Sequence, residues 1–261
     1  MPLLAYDTFL CFGDSLTQHG WDVSKSGWVA QLSQAYVRRL DVVSRGFSGY
    51  TSRWTLPLLP QVLPLSSAAG SGQPRPRLLT ILLGSNDALL PGHLRHVPIA
   101  EFKANITRMV TMVTGPDSPH YSPETRILLI TPPALGERLY AHHRESVYST
   151  VYPVDRTPES VRACADAMRE VAAEMSLPCV DFWAAVEEGA KEQGGELDGY
   201  DAYSWDGVHL NKGGNDLLFA LVMKAIRSHY PELDPDVLPL VVLGHRERAL
   251  LEEKENADAS R

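Results

Sequence analysis

The sequence predicts a single α/β domain in which a parallel β-sheet lies between two layers of helices. Short apolar runs recur along the chain, and longer amphipathic segments separate them. Apolar runs that do not alternate with polar residues are typical of strands buried on both faces, as in a parallel sheet. The alternation of strand and helix favours a doubly wound, three-layer arrangement. We expect residues 1–243 to form one domain and residues 244–261 to form a charged helix and tail.

Strands are expected at residues 8–12, 40–45, 78–83, 127–131 and 179–182, where β-branched and other apolar residues are concentrated. Helices are expected at residues 28–40, 99–113, 158–175 and 211–229, where apolar residues recur at helical spacing. Thr157 as N-cap and Pro158 at the first helical position support the start of the third helix.

Two segments lack a clear periodicity. Residues 66–77 are rich in glycine, serine and proline and are expected to form a mobile surface insertion. Residues 132–157 follow the fourth predicted strand, where a long connection either shapes a pocket or is only a surface loop.

Composition and charge exclude several classes of protein. With 44% hydrophobic and 21% charged residues, the chain resembles an ordinary soluble globular protein. Its formal net charge of −8 argues against nucleic acid or an anionic membrane as the main partner. No apolar run approaches the length of a membrane span, and the apolar stretch at 8–12 is too short for a signal peptide. We therefore expect no stable membrane insertion and a cytoplasmic location.

The cysteines Cys11, Cys164 and Cys179 are odd in number and lie in apolar or helical surroundings. No CxxC or HExxH spacing occurs, so neither a structural nor a catalytic metal site is indicated. We interpret the three thiols as small buried side chains of a protein in a reducing compartment, and we expect no metal or other cofactor.

A serine follows the first predicted strand in the tetrapeptide Gly-Asp-Ser-Leu, and this places Ser15 at the carboxyl edge of the sheet, where open α/β sheets bind ligands. A serine hydroxyl needs a neighbouring base to act as a nucleophile. Asp206 and His209, three residues apart before the last helix, have the spacing of an imidazole oriented by a carboxylate. The alternatives are a plain capping turn at Ser15 and an exposed histidine beside a capping aspartate.

We interpret Asp14 as a residue that positions the turn of Ser15 and does not react. Loss of nearly all folded protein in Asp14→Asn would fit this interpretation.

Two further turns could stabilise an oxyanion. Gly49 follows the second strand and can present an unobstructed backbone N–H, and Asn86 follows the third strand and can offer a side-chain amide. Each residue alone is equally compatible with a plain turn or a helix cap. All these signals, however, fall at successive carboxyl edges of strands and together complete one mechanism.

These blocks resemble those of the GDSL, or SGNH, hydrolase family: GDSL around Ser15, RGFSGYTSRW around Gly49, GSNDA around Asn86 and WDGVHL around His209. The sequences of these motifs are most similar to those of the isoamyl acetate-hydrolysing esterase branch, and the similarity extends over most of residues 8–228. The resemblance implies a flavodoxin-like sandwich with a five-stranded parallel sheet and metal-independent ester hydrolysis. It assigns Ser15 as nucleophile, His209 as base and Asp206 as its orienting carboxylate, with the oxyanion hole formed by Ser15, Gly49 and Asn86.

The expected function is a serine carboxylesterase that hydrolyses short-chain neutral esters, such as acetates of small alcohols, through an acyl-enzyme. Alternatives are an acetylesterase on sugars or other polar acetyl esters, a lysophospholipase or thioesterase, and an inert flavodoxin-like binding module. The expected partner is a small-molecule ester, and the resemblance allows a homodimer. Flanking residues that could line an apolar pocket, or equally pack in the core, are Trp54, Leu89, Leu90 and Tyr203.

Acidic residues are concentrated just before the proposed base. Residues 181–206 contain eight acidic side chains and one lysine, so this segment carries a formal charge of −7. If part of it faces the site, it repels anionic substrates, and we then expect a salt-sensitive preference for uncharged esters. The alternative is an ordinary solvated helix and loop.

Overall fold

A computed structural model describes residues 5–68, 72–148, 155–242, 248–252 and 255 of the chain. One sheet contains β1 (Thr8–Gly13), β2 (Asp41–Gly46), β3 (Pro76–Leu82), β4 (Arg126–Ile130) and β5 (Cys179–Val180). Every pair of neighbours is parallel, and the order across the sheet is β2-β1-β3-β4-β5. The predicted α/β class with a five-stranded parallel sheet is therefore confirmed.

Helices connect these strands and cover both faces of the sheet. Their bounds are α1 (Ser15–Gln18), α2 (Trp28–Ala35), α3 (Ser52–Thr55), α4 (Leu59–Val62), α5 (Ile99–Thr114), α6 (Glu137–Tyr148), α7 (Pro158–Glu174), α8 (Phe182–Gln193) and α9 (Lys212–His229). The helix predicted at 28–40 ends early, and Arg38, just beyond α2, takes a left-handed φ of 64° that ends the regular backbone.

Alternate residues of each strand point into two separate cores, as a sheet covered on both faces requires. On one face, Leu10, Phe12 and Ile81 pack with residues of α5 and α7. On the other, Phe9, Cys11 and their neighbours pack with α2, α8 and α9. Burial raises the pKa of the Cys11 thiol to about 12, so this side chain is an inert part of the core.

The irregular segments differ in part from their prediction. Of residues 66–77, Ser66–Ala68 form a short 3-10 turn and Pro76 already belongs to β3, whereas residues 69–71 lie outside the described residues. Residues 243–247, with much of the predicted tail, also lie outside them, so the division at residue 243 remains a prediction. Within the described ranges, no helix combines the length and apolar character needed to cross a membrane.

Candidate active site

Ser15 lies at the carboxyl end of β1, at the first position of α1. The Asp14 carboxylate caps this helix by accepting the Leu16 N–H at 2.9 Å. Ser15 is only 4% exposed, and its own N–H belongs to the first turn, where helix N–H groups have no intrahelical acceptor. The order of the sheet places this end of β1 between β2 and β3, which is the topological switch point of the fold.

His209 and Asp206 come from the loop before α9 and meet Ser15 at this edge. His209 Nε2 lies 3.0 Å from Ser15 Oγ, and His209 Nδ1 lies 2.6 Å from Asp206 Oδ2. The other carboxylate oxygen accepts the backbone N–H groups of Val208 and His209, at 2.9 and 2.7 Å. A carboxylate that accepts the Nδ1–H leaves Nε2 free to accept a proton from the serine.

Burial alone would raise the pKa of the Asp206 carboxyl, but its hydrogen bonds from His209 and Val208 outweigh burial and hold the pKa below its usual value. Asp206 therefore stays ionised while it orients the imidazole.

The loops after β2 and β3 are hydrogen-bonded to each other beside Ser15. Gly49 has φ +79°, a left-handed conformation that favours glycine. Asn86 donates from Nδ2 to the Tyr50 carbonyl at 2.9 Å, which leaves its second amide hydrogen unused by that bond. The buried Asp87 carboxylate accepts the Ser52 N–H at 2.8 Å and adds a second link between the loops. Gly49 and Asn86 both line the cavity that Ser15 enters, so the structure brings all three predicted oxyanion donors together.

Trp205 is a site residue that the motif analysis did not single out. Its ring stacks on His209, with centroids 5.6 Å apart and an interplanar angle of 17°. His143 meets the same indole edge to face at 5.0 Å. The sequence signal was its place directly before Asp206 in the WDGVHL block.

Trp54, Leu89, Leu90 and Tyr203, expected either to line an apolar pocket or to pack in the core, are not among the described residues that line the cavity. Leu89 is buried, and Trp54 packs edge to face on Tyr50 at 5.7 Å. Tyr203 packs against the core on the α8 side, where its hydroxyl leaves no room for a side chain at Gly189. A residue next to a motif in the sequence can either line the cavity or pack behind it, and the sequence alone did not tell these two cases apart.

The cavity, of about 480 Å³, is more polar than apolar, and one part of its wall comes from the segment after β4. Tyr140, His143 and Arg144 on α6, together with Asp155 and Arg156 beyond it, line this wall. The pocket-shaping alternative for residues 132–157 therefore holds, whereas residues 149–154 lie outside the described residues. His93 and Arg95, from the segment after β3, also line the cavity.

The acidic segment 181–206 does not face the cavity as the charge argument required. Of its acidic residues, only Asp206 lines the cavity, and Asp206 is engaged by His209. Asp181 pairs with Arg169 at 2.7 Å and Asp198 with Arg138 at 3.1 Å, on other parts of the surface. The expected electrostatic preference for neutral esters has therefore lost its basis.

The described side chains show no group of three or more histidine, cysteine, aspartate or glutamate residues placed to hold a metal ion. The arrangement that they do show is a hydroxyl, an imidazole and a carboxylate in one hydrogen-bonded chain, beside a backbone N–H and an amide. Such a set can activate a nucleophile and stabilise a tetrahedral oxyanion.

Several known proteins with similar sequences are named as esterases. A GDSL esterase/lipase of Arabidopsis thaliana is 34% identical over 233 residues, which cover 87% of this chain and 88% of the relative. The isoamyl acetate-hydrolyzing esterase of Saccharomyces cerevisiae is 30% identical over 237 residues, covering 88% and 90%. Its bovine homologue, isoamyl acetate-hydrolyzing esterase 1 homolog, is 33% identical over 238 residues, covering 90% and 87%.

The fold is shared with solved hydrolases. A catalytic mutant of an acetylxylan esterase from Geobacillus stearothermophilus superposes with a TM-score of 0.59 at 21% identity, covering 87% of this chain and 96% of that chain. Residues 11–217 also match the family model described as GDSL-like Lipase/Acylhydrolase. The chain therefore belongs to the GDSL-like lipase/acylhydrolase family and is a carboxylic ester hydrolase.

Proposed function

We propose that the protein hydrolyses short-chain esters, such as acetates of small alcohols, through a covalent acyl-serine intermediate. The observation that carries this proposal is the hydrogen-bonded chain from Ser15 through His209 to Asp206. The names of the isoamyl acetate-hydrolyzing relatives support an acetate ester as the reference substrate.

In the first half of the reaction, His209 Nε2 takes the Ser15 proton while Oγ attacks the ester carbonyl. The Ser15 N–H, the Gly49 N–H and the Asn86 amide hold the resulting oxyanion, and each preorganised donor contributes roughly 10²–10³ in rate. The bond to the alcohol then breaks, and His209 returns the proton to the leaving oxygen.

In the second half, a water molecule gives a proton to His209 and attacks the acyl-serine. Collapse of this second tetrahedral intermediate releases the carboxylic acid and restores the Ser15 hydroxyl. Asp206 keeps the imidazole in the required tautomer and stabilises its cationic form throughout.

The polarity of the cavity supports a short acyl chain. Among the described lining residues, only Trp205, Val208 and Tyr140 have large apolar or aromatic surfaces without a formal charge, and most of the others carry charged or polar side chains. A long acyl chain gains about 0.8 kcal/mol for each CH₂ group that it buries in an apolar site, and a lining that is more polar than apolar favours a short chain.

The test is a series of p-nitrophenyl esters from acetate to palmitate, measured as kcat/KM. We expect the maximum at acetate or butyrate and a loss of at least about 10³-fold in Ser15→Ala. A palmitate optimum would contradict the short-chain assignment. Turnover that survives unchanged in Ser15→Ala would contradict the acyl-serine mechanism.

We also propose a cytoplasmic location, which the free thiols Cys11, Cys164 and Cys179 support because unpaired cysteines are typical of reducing compartments. Subcellular fractionation with an antibody to the protein would test it. The homodimer remains a proposal as well, and light scattering coupled to size-exclusion chromatography measures it directly.

A further inference from the structure

The lining of the active-site cavity differs in charge from the protein as a whole. The protein carries a formal net charge of −8, yet the described lining contains Arg95, Arg144 and Arg156 against the two carboxylates Asp155 and Asp206. The described lining therefore carries one more arginine than carboxylates.

Two of these arginines belong to a compact ion-pair cluster. Arg144 lies 2.5 Å and Arg156 lies 3.3 Å from the carboxylate of Asp155. Arg156 also donates to the Ser85 carbonyl at 2.9 Å, and Tyr140 donates its hydroxyl hydrogen to Asp155. These contacts fix Arg144 and Arg156 in place through Asp155, so neither guanidinium is the candidate binding group for a substrate.

Arg95 lines the cavity from the segment after β3 and is only half-buried. Its guanidinium donates from Nη1 to Asn86 Oδ1 at 3.3 Å, and no described carboxylate forms an ion pair with it. The same Nη1 lies 3.4 Å from the point where a side chain at Gly49 would begin. A guanidinium has five N–H donors, so most of them remain available beside two of the oxyanion donors.

A planar guanidinium with unused donors matches the two oxygens of a carboxylate. We propose that Arg95 is the anion-binding residue of the substrate site, and that the preferred substrates are short-chain esters that also carry a carboxylate. This assignment rests on the proposed ester hydrolysis and specifies its substrate class. Neutral acetates remain substrates, but they leave this guanidinium without an anionic partner.

The test compares ester pairs in which an amide replaces the carboxylate with little change of shape. In one pair, 4-acetoxybutanoate against 4-acetoxybutanamide, the charge lies on the alcohol side. In the other, monomethyl glutarate against methyl glutaramate, it lies on the acyl side. Initial rates in a pH-stat at neutral pH give kcat/KM for each ester.

In at least one pair, we expect the wild-type protein to prefer the carboxylate by about 10- to 100-fold, the range of a charge-assisted hydrogen bond. The pair that shows it identifies the side of the ester bound by Arg95. Arg95→Gln should reduce this ratio to near one, mainly through KM, and added salt should lower it in the wild type. Arg108→Gln removes the same charge from an exposed position on α5 and should leave the ratio as it is.

Equal kcat/KM values within both pairs would overturn the proposal. So would an equal loss for carboxylate and amide in Arg95→Gln, which would show that Arg95 acts only by orienting the Asn86 amide. Neither result bears on the acyl-serine mechanism, because that is judged from the amide esters and Ser15→Ala alone.

Discussion

At the scale of single residues, Asp14 shows how burial changes what a motif residue does. Asp14 is fully buried, its Oδ1 caps α1, and its Oδ2 has no hydrogen-bond partner among the described residues. Burial raises the pKa of this carboxyl to about 7, and the negative charge of Asp87 adds to the effect. A carboxyl that is often protonated in the folded state resembles an amide. Asparagine could also keep the cap, so we now expect Asp14→Asn to fold.

The first prediction concerns the pH dependence of stability in Asp14→Asn. Below about pH 4, the Asp14 carboxyl is protonated in both the folded and the unfolded state. Its contribution to the free energy of unfolding is then fully present. Between about pH 4 and pH 7, the folded state keeps a proton that the unfolded state has lost, so rising pH destabilises the wild type by at most about 4 kcal/mol. The variant lacks this titration, and its stability relative to wild type should therefore rise with pH across this window.

Urea unfolding of both proteins at a series of pH values from 4 to 8 measures the difference. Asp117→Asn, which changes an exposed carboxylate, is the matched control. A difference between Asp14→Asn and wild type that stays constant with pH would show that Asp14 is ionised in the folded state.

The residues of the hydrogen-bonded chain and the neighbouring Asn86 could be predicted from the sequence, whereas the pocket residues could not. Ser15, Asn86 and His209 each follow a recognisable strand or precede a recognisable helix, so their meeting at one edge follows from topology. Whether a neighbouring side chain such as Trp54 or Arg95 faces the cavity depends on loop geometry that no periodicity encodes.

At the scale of elements, α6 was missed because its surroundings differ from those of an ordinary amphipathic helix. Leu139 is its one buried side chain among the described ones, while Tyr140, His143 and Arg144 line the cavity. A helix that presents polar residues to a site has no apolar stripe, and that stripe is the signal by which sequence analysis finds helices. Its position is fixed instead by contact with the turn that carries the proposed base.

The second prediction tests this contact through Gly207→Ala. Gly207 accepts the Gly136 N–H at 3.0 Å and has φ +88°. A methyl group there would begin 2.5 Å from the Gly136 carbonyl oxygen, so the start of α6 or the turn of His209 must move. We expect a loss of roughly 3 kcal/mol or more in stability, together with a lower kcat, because strain and a backbone clash add.

Gly195→Ala is the matched control, since Gly195 has φ +100° but no atom within 4 Å of the added methyl group. Gly195→Ala should lose only the stability that a positive φ costs an alanine, about 1–2 kcal/mol, and its kcat should not change. Thermal unfolding and kcat for an acetate ester measure both effects. Equal losses in the two variants would mean that the contact with α6 does not constrain the catalytic turn.

At the scale of the whole molecule, net charge proved a poor guide to the site. The acidic segment that dominates the formal charge forms ion pairs elsewhere on the surface, whereas the cavity is lined by arginines. Fold class followed from the sequence because it depends on the repeated order of strands and helices. The sign of the local field depends on which side chains converge from distant segments, as Arg95 and Arg144 do, and overall composition averages this away.

The last prediction concerns where the folded unit ends. Residues beyond α9 return to α2: Leu233 is 1% exposed, and its carbonyl accepts the hydroxyl hydrogen of buried Tyr36 at 2.7 Å. Further along, the Val241 N–H donates to the Arg38 carbonyl at 2.9 Å.

A chain ending at residue 243 should therefore keep the stability and kcat of the full chain. A chain ending at Tyr230 should lose roughly 3–5 kcal/mol, because it exposes apolar surface and leaves the Tyr36 hydroxyl without its partner. Urea unfolding of the three proteins measures these differences, and a large loss in the chain ending at residue 243 would show that the folded unit extends into the charged tail.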